Sequence, residues 1–209
     1  MKKMSDKSTW RKQQNKDIYF RKALDEGWRS RAVFKLKQIN EKANILKNGM
    51  TCIDLGSSPG SWSQFVSREM NGDVQIFAVD LIPMDKIQSV KFMQGDFTDE
   101  KFYSNLLETI KNKEIDLVMS DMAPNISGVK VSDQAKSIYL AELARSIASD
   151  TLKVRGNFVC KIFQGQGTDQ FVKETREQFE MVNLFKPRAS RKESSEIFLI
   201  AKHFYGQSV

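Results

Sequence analysis

The chain has few of the residues that would fix its class by themselves: two cysteines and one histidine in 209 residues. Cys52 and Cys160 each sit inside an apolar run that reads as a buried strand, so both are expected to pack as small hydrophobes. Neither they nor the isolated His203 show the spacing of a metal site, and no metal is expected. No apolar run approaches the roughly 20 residues that span a bilayer. The first residues are basic but lack the apolar centre of a signal peptide. A cytoplasmic protein without a membrane partner is expected. There is no internal repeat and no low-complexity linker, and the length suits one α/β domain with a short extension.

What is present is unevenly spread. With 40% hydrophobic and 28% charged residues the composition is that of a folded globular chain. The net charge is +7, yet residues 1–47 alone hold 14 lysines and arginines against five acids, and the remainder is slightly acidic. A polyanion is therefore expected at the N-terminal end. Trp10, Tyr19, Phe20, Trp28 and Phe34 interleave with these charges. Singly, each reads as an aromatic packed inward from a solvated helix; as a set they offer stacking faces for unpaired bases. Residues 1–47 are thus read as a basic helical extension facing RNA, with Arg29, Arg31 and Lys42 as contacts, and 48–209 as the main domain. Lys186, Arg188, Arg191 and Lys192 are expected to assist.

From residue 51 onward short apolar runs alternate with helical patterns. Strands are expected at 51–55, 74–79, 90–94, 115–120, 157–163, 182–186 and 196–202, and amphipathic helices at 30–43 and 133–152. Residues 187–195 are too few for a crossover helix, so the last two strands should form an antiparallel hairpin. The expected fold is α/β: a seven-stranded, mostly parallel sheet with one antiparallel strand and helices on both faces, a layout that resembles the Rossmann-like methyltransferases.

The first strand runs into Asp54-Leu55-Gly56-Ser57-Ser58-Pro59-Gly60-Ser61-Trp62. Gly56 and Gly60 would let backbone approach a ligand closely. The spacing is not that of a dinucleotide loop and there is no P-loop lysine, which disfavours a pyrophosphate ligand. Asp80 closes the second strand and Asp96 follows the third. An acid after strand two can accept from both ribose hydroxyls of an adenosine cofactor, and Asp96 from the adenine amino group. Each acid alone could equally be a cap or a solvated loop residue.

Five segments together closely resemble the FtsJ family of bacterial 23S rRNA (uridine-2'-O)-methyltransferases. They are Arg29-Ser30-Arg31-Ala32-Val33-Phe34-Lys35-Leu36, the loop from Asp54 to Gln64, Asp80-Leu81-Ile82-Pro83-Met84-Asp85, Ser120-Asp121-Met122-Ala123-Pro124-Asn125 and Lys161-Ile162-Phe163-Gln164-Gly165. The family's loop usually has two alanines and a second glycine where this chain carries Ser57, Ser58 and Ser61. The resemblance implies S-adenosylmethionine as cofactor, S-adenosylhomocysteine as product, and cofactor contacts from Gly60, Trp62, Asp80, Asp96 and Asp121, to which the loop geometry adds Asp54 and Gly56. It implies a catalytic set of Lys35, Asp121, Lys161 and Glu196. The implied substrate is a uridine of 23S rRNA within the large ribosomal subunit, and a monomer is expected.

A ribose 2'-hydroxyl is a weak nucleophile and a sulfonium methyl a strong electrophile, so such a protein must mainly align the two and manage one proton. Lys161 is the candidate to steer or accept it, with Asp121 and Glu196 fixing its direction. Cytosine C5 methylation needs a cysteine in a substrate loop, whereas both cysteines here read as strand-interior residues; adenine N6 methylation favours Pro-Pro-aromatic after the strand-four acid, which Met122-Ala123-Pro124-Asn125 does not supply. A tRNA or mRNA-cap 2'-O-methyltransferase, and a non-catalytic RNA-binding protein, remain as alternatives at this point.

Overall fold

Alternation of side chains along extended backbone decides which residues face which layer. In this computed structural model, which describes residues 17–125 and 127–206, seven strands form one sheet. They are β1 (Met50–Leu55), β2 (Val74–Asp80), β3 (Val90–Gln94), β4 (Ile115–Ser120), β5 (Leu152–Phe163), β6 (Phe179–Phe185) and β7 (Glu196–Phe204). Their order is β3-β2-β1-β4-β5-β7-β6. The pairs β1–β2, β2–β3, β1–β4 and β4–β5 are parallel, whereas β7 runs antiparallel to both β5 and β6. The chain builds outward from β1 to β3, then returns to place β4 on the other side of β1. Between β1 and β4 lies the switch point where open α/β sheets bind ligands.

Helices cover both faces. The helices α1 (Ile18–Asp25), α2 (Val33–Ala43) and α3 (Ser61–Glu69) pack on one; α4 (Glu100–Ile110), α5 (Lys130–Thr151) and α6 (Thr168–Arg176) pack on the other. Along β4, Leu117 and Met119 join the first core while Ile115 and Val118 join the second. On α5, Ala141, Ala144 and Ala148 are buried at intervals of one or two turns, and their small side chains let that helix lie close to the sheet. Asp17 caps α1, its carboxylate accepting from the amides of Tyr19 and Phe20. None of the described helices is long and apolar enough to cross a membrane.

Boundaries differ from the sequence expectation by a residue or more in several elements, four of which bear on the packing. The helix expected at 30–43 begins at Val33, residues 30–32 forming a turn before it. β5 begins at Leu152 rather than 157, because its register with β4 slips between Ile115 and Leu117 and residues 153–156 bulge out with Arg155 at φ 65°. β6 covers 179–185 rather than 182–186; Phe179, in ring contact with Phe158 and Phe204, anchors its start although charged and polar neighbours mask it in the sequence. β7 runs on to Phe204 for the same reason. The helix α2 is no loose appendage: Val33, Phe34, Leu36 and Ile39 belong to the core shared with β1, β4 and β7. Leu36→Ala should therefore cost about 2–5 kcal/mol of stability, read as a lowered midpoint in urea denaturation.

Candidate active site

The turn after β1 packs against the protein itself before any ligand is considered. Gly56 (φ 71°) has no room for a β-carbon, which would lie 2.6 Å from Met122 Cγ. One on Gly60 (φ 101°) would lie 2.6 Å from Met84 Sδ and 2.9 Å from Arg29 Nη1. Both glycines are thus required by positive φ and by neighbouring protein atoms, where the sequence suggested ligand approach. Beside them opens a crevice lined by Ser30, Ala32, Asp54, Gly56, Ser57, Ser58, Pro59, Ser61, Trp62 and Asp121. Its lining holds two carboxylates and no cation, and the buried hydroxyl of Ser57 has no hydrogen-bond partner among the described residues.

Of the expected cofactor residues, Asp54, Gly56, Trp62 and Asp121 meet in this crevice. The Trp62 indole N–H donates to Ala32 O at 2.9 Å and its ring packs on Phe198, so that side chain ties α3 to α2. Asp80 sits at the rim, accepting from Ser58 N and Ile82 N at 2.8 Å each, and so joins the two loops. Asp96 accepts from the amide and hydroxyl of Thr98 through one oxygen, forming a local turn; its other oxygen makes no hydrogen bond among the described residues. The loop carrying Asp96 adjoins Asp80, whose carbonyl accepts from Gly95 N at 3.0 Å.

The four charged residues expected to act together do converge. Lys161 on β5 is on the same sheet face as Val159, and β7 pairs so that Lys161 lies opposite Phe198, with Glu196 two residues along. Lys35 descends from α2 onto that face. Lys161 Nζ lies 3.0 Å from Asp121 Oδ1 and also donates to the Asp121 carbonyl. Lys35 Nζ lies 2.8 Å from Glu196 Oε2, 3.5 Å from Asp121 Oδ1 and over the Phe198 ring. Asp121 Oδ1 makes no aligned hydrogen bond to either lysine, so these are charge contacts that leave its lone pairs open. Glu196 Oε1 accepts from Ser190 at 2.7 Å, a buried partner the sequence reading did not pick out. Its signal was faint: one serine in a polar, basic loop.

The N-terminal segment needs correction. Phe34 is buried and offers no face to a base; Tyr19 packs on Phe34, and Trp28 on Phe65 and Arg68. Arg31 pairs with Asp17 and donates to the Ala189 carbonyl, while Arg29 donates to three backbone carbonyls. Both guanidiniums are engaged within the protein, in contrast to the more exposed Lys37, Lys42, Arg188, Arg191 and Lys192. Trp10 and the cations before residue 17 lie outside the described residues. His203 stands at the far end of β7, 3.3 Å from Glu180. Both cysteines are buried and free, and burial pushes the Cys160 thiol up to about 12, away from thiolate chemistry. No cluster of metal-ligating side chains occurs among the described residues.

Asp54 carries the clearest electrostatic signature. Burial pushes its carboxyl up to about 7, against the Ser63 hydroxyl, which donates to it at 2.6 Å; the charges of Asp121 and Asp80 push it further up. Because the folded value exceeds the 3.8 of an ordinary aspartate, the folded protein keeps this proton where the unfolded chain has lost it. Asp54 therefore lowers stability progressively as pH rises from 3.8 to about 7. Asp54→Asn should remove this slope, at most about 1.4 kcal/mol per pH unit, and raise the melting temperature of the ligand-free protein above pH 7. Parallel melting curves for the two proteins from pH 4 to 8 would contradict it.

Comparison with known proteins identifies the family. A model of the FtsJ-like methyltransferase family matches residues 28–204. A "Ribosomal RNA large subunit methyltransferase E" from Pseudomonas aeruginosa is 46% identical over 95% of this chain and 96% of its own length. Its namesake from Hydrogenovibrio crunogenus is 44% identical over 92% and 94%. A solved structure named as a ribosomal RNA methyltransferase of Plasmodium falciparum superposes with a TM-score of 0.75 at 28% identity, covering 86% of this chain and 100% of that one. With its crevice at the switch point and its four converging charges, the chain belongs to the FtsJ-like methyltransferase family.

Proposed function

We propose that this methyltransferase moves a methyl group from S-adenosylmethionine to the ribose 2'-hydroxyl of a uridine in 23S rRNA of the large ribosomal subunit. The observation that carries the reading is the convergence of Lys35, Asp121, Lys161 and Glu196 beside an acidic crevice. The names of the relatives favour ribosomal RNA over tRNA or an mRNA cap. A cytoplasmic place of action follows from such a substrate. All four charged groups come from one chain, so a monomer suffices.

The crevice residues fit the cofactor. A ligand with a sulfonium and an ammonium suits a lining whose charged side chains are the carboxyls of Asp54 and Asp121, the latter already in contact with Lys161 and Lys35, and the orphaned Ser57 hydroxyl awaits a polar partner. In this reading Asp80, whose oxygens already accept from Ser58 N and Ile82 N, and the free oxygen of Asp96 would accept from ribose and adenine. Bound there, S-adenosylmethionine supplies an electrophilic methyl group. The protein's part is alignment and one proton. Lys161 holds the incoming hydroxyl oxygen, and Asp121 Oδ1, with no aligned bond of its own, orients Lys161 and the hydroxyl proton. With the cofactor held there, the methyl carbon would exchange its bond to sulfur for one to the hydroxyl oxygen, leaving S-adenosylhomocysteine, and the hydroxyl proton would pass to the Lys161–Asp121 pair, whose carboxylate can accept it, and on to water. Lys35, paired with Glu196, holds Asp121 from the other side, and Ser190 fixes Glu196. Exposed Arg188, Arg191 and Lys192 flank Ser190 in the same loop, where they can meet RNA phosphates as the ribose enters.

Lys161→Ala should slow methyl transfer roughly 10²-fold or more with little change in cofactor affinity. Lys161→Arg should not restore the rate, since a planar guanidinium replaces a compact amine. Single-turnover transfer at saturating cofactor and RNA measures this; near-normal rates in both variants would make Lys161 a bystander. Neutralising Arg188, Arg191 and Lys192 together should weaken RNA binding and flatten its salt dependence by roughly 0.7–0.9 per lost phosphate contact in the log–log slope. An unchanged slope in filter binding would remove this loop from the RNA interface.

A further inference from the structure

Arg29 was a natural candidate for an RNA contact: it is a cation in the most basic part of the chain. Its side chain is engaged elsewhere. Nη1 donates to Pro59 O at 2.9 Å and to Asp85 O at 2.8 Å, and Nη2 donates to Lys86 O at 2.9 Å. Its own amide donates to Gln64 on α3 at 3.0 Å. Pro59 belongs to the loop after β1, and Asp85 and Lys86 to the loop after β2. The same two loops are joined on their other side by Asp80, which accepts from Ser58 N and Ile82 N.

The two clamps are complementary. A carboxylate gathers amides, and a guanidinium gathers carbonyls, each matching the charge of the atoms it meets. No carboxylate pairs with Arg29 among the described residues, so its charge is met by backbone dipoles alone. The guanidinium also occupies the space behind Gly60, where a β-carbon would lie 2.9 Å from Nη1. Adjacent residues extend the attachment: the Ser30 and Ser61 hydroxyls are 2.6 Å apart, and Ala32 O accepts from the Trp62 indole. Ser61 stands where the family usually has glycine, so the Ser30–Ser61 contact is a fastening that such a loop could not make.

We propose that Arg29 is a positioning residue for the cofactor crevice, setting the separation of its two loops, and that it takes no part in binding RNA phosphate. The inference rests on the crevice being the S-adenosylmethionine site. A guanidinium is needed because its planar group aims three donors at fixed directions, Nη1 bridging Pro59 O and Asp85 O while Nη2 adds Lys86 O, a rigid pattern that the shorter, freely rotating ammonium of lysine does not reproduce. The segment 29–32 then acts on the cofactor side and Lys35, one turn further on, acts at the reacting centre.

Binding of S-adenosylhomocysteine to the full chain, measured by calorimetry, tests this alongside RNA binding over a salt series and thermal melting. Arg29→Ala should weaken S-adenosylhomocysteine binding about tenfold or more and raise the cofactor KM with kcat little changed. The salt slope of RNA binding should stay at the wild-type value. Arg29→Lys, which keeps the charge and should retain the fold, should recover little of the lost affinity. Full recovery by lysine would overturn the proposal, because charge alone would then suffice. Unchanged cofactor affinity with a shallower RNA salt slope would return Arg29 to the RNA interface. Failure of the wild-type chain to bind S-adenosylhomocysteine would instead overturn the reading of the crevice.

Discussion

Burying two ammonium groups and two carboxylates within a few ångströms is tolerable only if each charge is paired, and that requirement holds the carboxyl-terminal end of the central strands together. Lys161 and Glu196 are each less than one-tenth exposed. Lys35 bridges Asp121 and Glu196, and Lys161 contacts Asp121, so two cations face two anions across four separate elements. Removing one member would leave its partner charged and desolvated, a larger penalty than the pair's own attraction. The helix α2, the end of β4, and strands β5 and β7 are therefore tied by one electrostatic balance as well as by apolar packing.

That balance depends on strand direction. β7 enters the sheet antiparallel between β5 and β6, which brings its first residue, Glu196, beside the carboxyl-terminal end of β5. A parallel seventh strand would have carried Glu196 to the opposite edge. Period-2 alternation then turns Lys161 and Glu196 toward the face covered by α2, where Lys35 waits. The loop before β7 contributes twice, with Ser190 turned inward to Glu196 and Arg188, Arg191 and Lys192 turned to solvent.

The N-terminal segment is less an appendage than its charge suggests. Its apolar residues complete a core, Arg29 and Ser30 reach the loop after β1, and Arg31 reaches Asp17 and the loop before β7. Positive charge here is divided: part of it meets backbone carbonyls and buried acids, and part remains exposed to solvent. A charge count cannot separate these uses, because each depends on which way a side chain points.

Much of the molecule was legible in the sequence. Alternating apolar runs and helical periods gave the seven strands and their mixed sheet, since burial on both faces demands continuous apolar strands and 187–195 is too short for a crossover. The family resemblance carried by motifs such as those around Lys35, Asp121 and Lys161 implied the four converging charges, Glu196 among them. What only the tertiary structure decided were partners and directions: that the space at Gly56 and Gly60 is taken by Met122, Met84 and Arg29, that Trp62 bonds to Ala32, that Ser190 holds Glu196, and that β5 starts early through a bulge. Sequence fixes which residues alternate along an element, whereas side-chain contacts between residues separated by 30 positions or more follow only when the whole sheet and its helices are assembled.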